Sequence, residues 1–210
     1  MKVKNKETAS WNKLVSKDRV EKTINALKQN GINAVFAETK EEAKKMALAL
    51  IPEGSEVMTM SSVTLDSLGI SNEINESKKY DAVKHKLYSM DRKTQSREMQ
   101  KLGAAPDYAI GSVNAVTEDG KLIIASNTGS QIPAYSYASS HVIWVVGIQK
   151  IVKNLDEGMK RLYEYTLPLE SERLKKIYGV ESFVSKILIV NRDISPNRIN
   201  LIFVNDVVGF

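Results

Sequence analysis

The sequence predicts an α/β protein built on a mainly parallel β-sheet. Two observations predict this class: strand and helix patterns alternate along the chain, and the segment HVIWVVG at 141–147 is apolar almost throughout. Alternation of strand and helix is typical of parallel sheets, whose strands need crossover connections. A continuous apolar run is typical of a strand that is covered on both faces. We therefore expect residues 141–147 to lie in the middle of the sheet.

The first predicted elements are a helix, a strand and a second helix. Apolar residues recur every three or four positions over residues 7–30, which predicts a helix, and Gly31 suits the left-handed position that follows one. Residues 32–36 are typical of a short strand. Thr39 is expected to cap the helix KEEAKKMALALI, which Pro52 ends.

Residues 56–126 combine a strand, a helical region and a predicted hairpin. EVMTM at 56–60 is the strand, and residues 64–105 are expected to be helical, with a long helix over 91–102 and no strand. DYAIGSV and KLIIAS contain strand-forming residues, and the dipeptide Asp119–Gly120 between them favours a tight turn. These two segments are therefore expected to pair as a hairpin.

After the apolar strand, the pattern predicts a helix and then two strands. Residues 151–178 are expected to form a helix that is broken or kinked at Pro168, because proline lacks the N–H that a helix needs. KILIVNR and NRINLIFVND form the two strands. No internal repeat or linker interrupts the sequence, so we expect one domain over residues 1–210, with residues 1–30 as an N-terminal helical extension.

Composition restricts the kinds of site that the chain can form. The 210 residues are 42% hydrophobic, enough to bury a core, and include no cysteine. A disulfide framework, a thiol nucleophile, a thiolate zinc site and an iron–sulfur cluster ligated by this chain are therefore excluded. The two histidines, His85 and His141, lack the spacing of metal ligands. We expect no metal and no cofactor in this chain.

Charge and hydropathy favour a cytoplasmic protein that binds neither nucleic acid nor membrane. The net charge is +5, but the basic residues alternate with acids, as in KEEAKK, rather than forming a stripe. The polar segment at residues 1–18 lacks the apolar stretch of a signal peptide. No segment has the roughly 18 consecutive apolar residues of a membrane span.

Ligands of open α/β sheets bind beyond the carboxyl ends of the strands, so the segments that follow predicted strands are the candidate sites. The first segment follows EVMTM and contains Ser61, Ser62 and Thr64. Their hydroxyls lead into a helix whose first N–H groups can attract a carboxylate or phosphate. The alternative is that Ser62 or Thr64 only caps that helix.

The second segment, residues 111–120, contains Thr117 and Asn114, and the Asn114 side chain can donate and accept at a pocket wall. Glu118 and Asp119 are carboxylates that could take a proton from a substrate. Asp119 is explained better by the tight turn, because its side chain can bind nearby backbone groups.

The third segment follows KLIIAS and contains the candidate residues Asn127, Thr128, Gly129 and Gln131. Its glycine allows a close backbone approach, and successive N–H groups can hold an anion. The segment matches neither a Walker A loop nor a GxGxxG motif. A plain connecting loop is therefore the alternative.

Taken in order, these segments resemble the LUD (lactate-utilisation) family, formerly a domain of unknown function. The resemblance spans about residues 15–210 and rests on SSVTLDSLGI, VNAVTEDGKLI, NTGSQIPA, VVGIQKIVKNLDEGMKRL and RINLIFVNDVVGF. It implies a Rossmann-like three-layer sandwich similar to the sugar-phosphate isomerase and CoA-transferase superfamily. It also implies a role in oxidising L-lactate to pyruvate alongside iron–sulfur partner subunits.

Two features differ from the pattern of similar proteins. Relatives often carry a cysteine-rich stretch in the region that here is LESERLKKIYGVESFVSK, so any cluster chemistry would have to come from a partner. Relatives also often have a basic residue in the loop NTGSQIPA, where this chain has Ser130 and Gln131. Anion binding at that loop would therefore depend on backbone donors.

The leading hypothesis of function is a LUD-family subunit that binds a small carboxylate or phosphate metabolite, such as a hydroxy or keto acid. In this hypothesis Ser62 and Thr64 lie at the carboxylate, the Gly129 N–H lies nearby, and Asn114 orients the substrate.

Two other hypotheses stay open. The chain could be a stand-alone isomerase or cyclo-ligase acting on a phosphorylated or folate substrate, with Glu118, Asp119 or Asp66 as its acid–base group. It could instead be a non-catalytic assembly subunit whose N-terminal helix docks a partner through Trp11, Leu14 and Val15. A homo-oligomer is compatible with each hypothesis.

Overall fold

The computed structural model describes residues 11–210, which form two β-sheets. The strands are β1 (Asn33–Ala37), β2 (Glu56–Thr59), β3 (Asp81–Ala82), β4 (Tyr108–Gly111), β5 (Ala115–Thr117), β6 (Leu122–Ser126), β7 (His141–Gly147), β8 (Ile151–Val152), β9 (Lys186–Val190) and β10 (Ile199–Val204). The central sheet has the order β1–β10–β7–β4–β2–β3, and all its pairings are parallel. The other four strands form a smaller mixed sheet in the order β8–β5–β6–β9.

Helices and the smaller sheet cover the two faces of the central sheet. The helices are α1 (Lys17–Gln29), α2 (Lys40–Ala49), α3 (Val63–Ser67), α4 (Ile70–Glu76), α5 (Val83–Ser89), α6 (Ser96–Ala104), α7 (Leu155–Arg161) and α8 (Leu167–Tyr178). Side chains of α2, α3 and α4 fill one core, and those of α1, β5 and β6 fill the core on the opposite face. The predicted α/β class and the Rossmann-like three-layer sandwich are therefore confirmed.

Strand β7 lies in the middle of the central sheet, between β10 and β4. Its alternate side chains enter the two cores: Val142, Trp144 and Val146 on the α1 face, and Ile143 and Val145 on the α2 face. All five are fully buried, and burial of such a side chain contributes roughly 1.5–3 kcal/mol. The central position predicted for HVIWVVG is confirmed.

The first helix is shorter than its apolar pattern predicted. It begins at Lys17, and Ser16 precedes it in extended backbone. Trp11 is buried outside the helix, with its ring centroid 6.3 Å from that of Tyr165. Packing of the indole against the core thus replaces the helical geometry expected there. Residues 7–10 of the prediction lie outside the described residues.

The region predicted to be helical over residues 64–105 contains a two-residue strand, β3, which pairs with β2. The prediction of no strand there is therefore wrong. The helix expected over 91–102 begins only at Ser96. Asp91 instead forms a turn, in which its carboxylate accepts a hydrogen bond from the Lys93 N–H at 2.9 Å.

The predicted pairing of DYAIGSV with KLIIAS is also wrong, because β4 joins the central sheet and β5 takes its place in the hairpin with β6. The turn lies where Asp119–Gly120 predicted it. Gly120 has φ +80, and Asn30 Nδ2 donates to its carbonyl at 3.0 Å. The turn dipeptide was informative, but β4 and β5 have equally apolar sequences, and only their tertiary partners distinguish them.

Residues 151–178 do not form one helix, because Ile151 and Val152 form β8. A π-helical turn over Leu162–Thr166 separates α7 from α8, and the Leu167 N–H donates to the Leu162 carbonyl. Pro168 follows at once, so the wider turn lies where the helix loses a backbone donor. The predicted break at Pro168 is confirmed.

Candidate functional site

A polar cavity of about 260 Å³ lies beyond the carboxyl ends of β2, β4 and β6. Four parts of the chain form most of its wall: residues 60–64 after β2, residues 112–114 after β4, residues 125–131 at the end of β6, and parts of residues 162–184. The three segments that the sequence proposed as candidate sites thus each contribute to one cavity. Its place at the ends of the strands follows the general rule for open α/β sheets.

Ser61, Ser62 and Thr64 line the first wall of the cavity. Ser62 is the N-cap of α3, since its Oγ accepts a hydrogen bond from the Leu65 N–H at 3.4 Å. Thr64 is buried, and its hydroxyl donates to the Val208 carbonyl at 3.2 Å. The capping alternative therefore describes Ser62, whereas Thr64 connects the cavity wall to the segment that follows β10.

Asn114 lines the second wall, at the start of β5. Its Oδ1 accepts from the Ala125 N–H at 2.7 Å, and its main-chain carbonyl accepts from Arg161 Nη1 at 2.5 Å. Among residues 11–210, its side-chain NH₂ group donates to no protein atom. The side-chain oxygen of Asn114 therefore links the start of β5 to β6, and its NH₂ group is available to donate to a molecule in the cavity.

The loop after β6 forms the third wall. Its predicted residues that line the cavity are Asn127, Thr128 and Gln131. Gly129 does not line the cavity, and its N–H donates to Ser126 Oγ at 2.8 Å within the loop. Gly129 has φ +86, and a Cβ there would lie 2.5 Å from Cδ of Lys186. The glycine therefore serves the conformation of the loop.

Thr117 and the two hairpin carboxylates lie at the opposite end of the hairpin, outside the cavity. The Glu118 carboxylate accepts from Lys22 Nζ at 2.7 Å and from Arg19 Nε at 2.8 Å. These hydrogen bonds, with that of Lys22 the stronger influence, lower the pKa of Glu118. Hydrogen bonds from Lys121 and from the Thr117 hydroxyl likewise lower the pKa of Asp119.

Asp66, the third candidate acid–base group, is exposed on α3 and does not line the cavity either. The side-chain carboxylate that lines the cavity is that of Glu170 in α8, which the sequence had not indicated. Both oxygens of Glu170 accept from Arg173, from Nε and from Nη2, each at 2.7 Å. The pair presents a charge-balanced surface at the mouth of the cavity.

Lys150 is the residue that the sequence did not indicate and that most affects the chemistry of the cavity. It ends the 3₁₀ turn Ile148–Lys150 directly after β7 and is 2% exposed, yet it lines the cavity. Its Nζ donates to Thr64 Oγ1 at 3.1 Å and to Ser112 Oγ and the Val113 carbonyl, each at 3.2 Å. Within the described part of the chain, no carboxylate forms an ion pair with it.

Burial lowers the pKa of Lys150 well below the usual value of 10.5, and the positive charge of Arg161 lowers this pKa further. A fully buried lysine is uncommon unless it is paired with an acid. Its desolvation is compensated here by neutral oxygens alone. An anion beside the amine would therefore raise the pKa of Lys150.

Arg161 is a second buried cation without a carboxylate partner among residues 11–210. It is 0% exposed, and its Nη1 donates to Thr166 Oγ1 at 3.1 Å and to the Asn114 carbonyl. Its guanidinium carbon lies 5.2 Å from the ring centroid of Tyr165. Nε and Nη2 have no hydrogen-bond partner in the described structure. Burial lowers the pKa of Arg161 to about 10.

The described residues contain no group of three or more His, Cys, Asp or Glu side chains that could hold a metal ion. In the same part of the chain, no helix is both long enough and apolar enough to cross a membrane.

The fold and the cavity define an α/β protein with a Rossmann-like sheet and a cation-containing cavity at the carboxyl ends of its strands. Residues 20–204 match the LUD domain family. Since this match covers most of the chain, the protein belongs to that family, which is named for lactate utilisation. No curated protein matches the sequence.

A solved structure supports the same fold. The crystal structure of a DUF162 family protein from Deinococcus radiodurans resembles this chain with a TM-score of 0.56. The two sequences are 13% identical, and the similarity covers 92% of this chain and 100% of the other. At this identity the comparison shows the shared fold alone.

Lys150 could have been found from the sequence, because it interrupts the apolar run VVGIQKIV directly after the strand predicted to be most buried. A charge at that place either lies at a surface or has a special role. Nothing comparable distinguishes Arg161 from Lys160 beside it. Its burial depends on the contact of α7 with the smaller sheet, which no local pattern encodes.

Proposed function

We propose that this LUD-domain protein binds a small anionic metabolite, a hydroxy or keto acid, in the cavity beside Lys150. The observation that carries this proposal is a buried lysine amine that lines a polar cavity and has three neutral hydrogen-bond acceptors but no acidic partner among residues 11–210. The cavity volume of about 260 Å³ is below the range of about 300–1,000 Å³ that is typical for drug-sized ligands. The size favours a ligand of few carbon atoms.

The electrostatic gain is large enough to determine the charge of the ligand. Two opposite charges 4 Å apart attract by about 4 kcal/mol at an effective dielectric constant near 20. Burial favours the neutral amine of Lys150, and an anion that enters the cavity would favour the ammonium form again, because an opposite charge nearby stabilises it. Arg161 adds positive potential from behind Asn114, whose carbonyl it binds. An anion is therefore favoured over a neutral molecule of the same shape.

Neutral donors and acceptors in the wall would orient the ligand. The NH₂ group of Asn114 and the hydroxyls of Ser61 and Thr128 line the cavity with Lys150. We propose that Lys150 and Asn114 bind the carboxylate. The N–H of Gly129 has no part in this version of the hypothesis, because the loop already uses it.

A stand-alone isomerase or cyclo-ligase is a weaker candidate, because Glu118, Asp119 and Asp66 all lie outside the cavity. An acid–base step would have to use Glu170, whose two oxygens are held by Arg173. The assembly-subunit hypothesis gains little from the N-terminal region, where Leu14 is 49% exposed but Trp11 is buried.

Calorimetric titration of the purified protein with L-lactate, pyruvate, inorganic phosphate and lactamide tests the proposal. Lactamide has nearly the shape of lactate but no charge. We expect the carboxylates to bind about tenfold or more tightly than lactamide, because a hydrogen bond to a charged group contributes about 1.5–3 kcal/mol. Equal affinity for lactate and lactamide, or no binding of any anion by a folded sample, would disprove it.

We further propose that the chain serves as a subunit in the oxidation of L-lactate to pyruvate, with iron–sulfur partners. The family supports this role, and the absence of cysteine means that this chain cannot ligate a cluster through thiolates. The test is lactate-dependent reduction of a dye by the chain mixed with iron–sulfur oxidoreductase subunits. We expect turnover only in the mixture; turnover by the partners alone at the same rate would contradict the role.

A further inference from the structure

Lys150 has the surroundings of an amine that reacts with carbonyl groups. A lysine becomes nucleophilic when it is desolvated or lies near another cation, because both conditions favour the neutral amine over the ammonium. Both conditions hold for Lys150, which is 2% exposed and lies close enough to the Arg161 charge to be affected by it. A neighbouring carboxylate would stabilise the ammonium, and none forms an ion pair with Lys150 among the described residues.

We propose that Lys150 forms an imine with the carbonyl carbon of a 2-oxo acid held in the cavity. The inference rests on the proposed function, because it assumes that the cavity accepts small carboxylates. It adds a covalent step and restricts the ligand, since a hydroxy acid has no carbonyl carbon for the amine to attack.

The step can be written with atoms and charges balanced. The neutral amine attacks the carbonyl carbon, a C–N bond forms, and the carbonyl oxygen takes up a proton to give a carbinolamine. Loss of that oxygen as water leaves a C=N bond. Overall, an ammonium and a ketone give a protonated imine and water, so no oxidant or reductant is consumed.

Ser112 is placed to carry the proton in this step. Ser112 lines the cavity, its Oγ accepts from Lys150 Nζ at 3.2 Å, and its hydroxyl donates to no group within residues 11–210. Thr64 is less suited, because its hydroxyl already donates to the Val208 carbonyl. The protonated imine keeps the positive charge at the nitrogen, so attraction to the carboxylate of the ligand persists after the bond has formed.

The experiment is reductive trapping of the full chain with pyruvate and cyanoborohydride, followed by peptide mapping by mass spectrometry. Reduction of the imine replaces one hydrogen of the lysine amine with a 1-carboxyethyl group. The net gain in mass is that of pyruvic acid less one oxygen atom. We expect Lys150 to be modified preferentially over the exposed Lys153, because each unit by which a pKa is lowered raises the neutral-amine fraction about tenfold at neutral pH. L-Lactate should give no adduct.

The variant Lys150→Arg is the matched control, since it keeps the positive charge but has no nucleophilic amine. We expect it to lose the adduct, whereas Lys153→Arg, a change at an exposed lysine that does not line the cavity, should keep it. If that variant is unstable, mapping of the modified lysine in the wild-type protein still tests the inference. Pyruvate binding with no preferential modification of Lys150 would overturn the imine and leave the proposed function standing. Failure of every anion to bind would remove both.

Discussion

Charged side chains have different partners at the two ends of the β5–β6 hairpin. At the turn end, Glu118 and Asp119 are each bound by cations, Glu118 by Arg19 and Lys22. At the cavity end, the partners of Lys150 within residues 11–210 are neutral oxygens. The carboxylates that the sequence offered as acid–base candidates are in ion pairs outside the cavity, whereas the buried lysine of the cavity lies in an apolar run of the sequence.

The difference shows how burial separates structural charges from functional ones. The pairs at the turn end are half-exposed, and such pairs contribute about 0–1 kcal/mol each. A buried charge without a partner is costly to the fold, and its retention indicates a role outside stability. Lys150 and Arg161 are both buried, and neither forms an ion pair with a carboxylate among residues 11–210.

The largest effect on stability is expected from substitution of Gly120, at the turn end of the hairpin, and it should exceed that of Gly129, in the loop after β6. A Cβ at Gly120 would lie 2.7 Å from the Ala26 carbonyl carbon and 2.8 Å from the Leu27 nitrogen, which are backbone atoms of α1. Gly120→Ala should therefore cost about 2–4 kcal/mol, combining overpacking with a positive φ. Gly129→Ala meets only the flexible Lys186 side chain and should cost about 1–2 kcal/mol. Urea denaturation of both variants measures this, and equal losses would contradict it.

The second prediction concerns the pH dependence of stability at the cavity end. The pKa of Lys150 is lowered in the folded state from 10.5, so the unfolded chain binds more protons between the folded pKa and 10.5. The free energy of unfolding should therefore rise with pH over that window, by up to about 1.4 kcal/mol for each unit of lowering. Lys150→Met should lack this rise, and Lys153→Met should keep it. A parallel profile for wild type and Lys150→Met would show that the amine is not perturbed.

The smallest effect is expected at the turn end. Hydrogen bonds from Lys22 and Arg19 lower the pKa of Glu118 from 4.5, so its contribution to stability is present above pH 4.5 and is lost as the pH falls through the folded pKa. Glu118→Gln should cost about 1 kcal/mol at pH 7 and progressively less in acid. Denaturation at pH 7 and at a pH below 4.5 tests this, with Glu41→Gln, at an exposed position of α2, as a control. A cost that is independent of pH would mean that packing dominates.

Much of the fold followed from patterns that are local in sequence. HVIWVVG predicted a central strand, Thr39 capped α2 by accepting from the Glu42 N–H at 3.1 Å, and Pro168 marked the helix break. Errors arose where tertiary contacts decide. The partner of β6 in the hairpin was misassigned because β4 and β5 are both short and apolar.

The candidate site was predictable in position but not in chemistry. The rule that ligands bind beyond strand ends brought Ser62, Asn114 and Thr128 to one cavity. The candidate segments were polar loops, whereas Lys150 lies among apolar residues and was therefore not indicated. Thr117, three residues after Asn114, does not line the cavity, because the direction of β5 takes it away.

Anion binding in the cavity, as proposed, depends on Lys150, which has no acidic partner among residues 11–210. Titration of L-lactate into wild type, Lys150→Met and Lys153→Met by calorimetry tests this most directly, because Lys153 is exposed and its loss changes the net charge equally. We predict binding about tenfold or more weaker for Lys150→Met and unchanged for Lys153→Met. The same affinity in all three folded proteins would contradict the account.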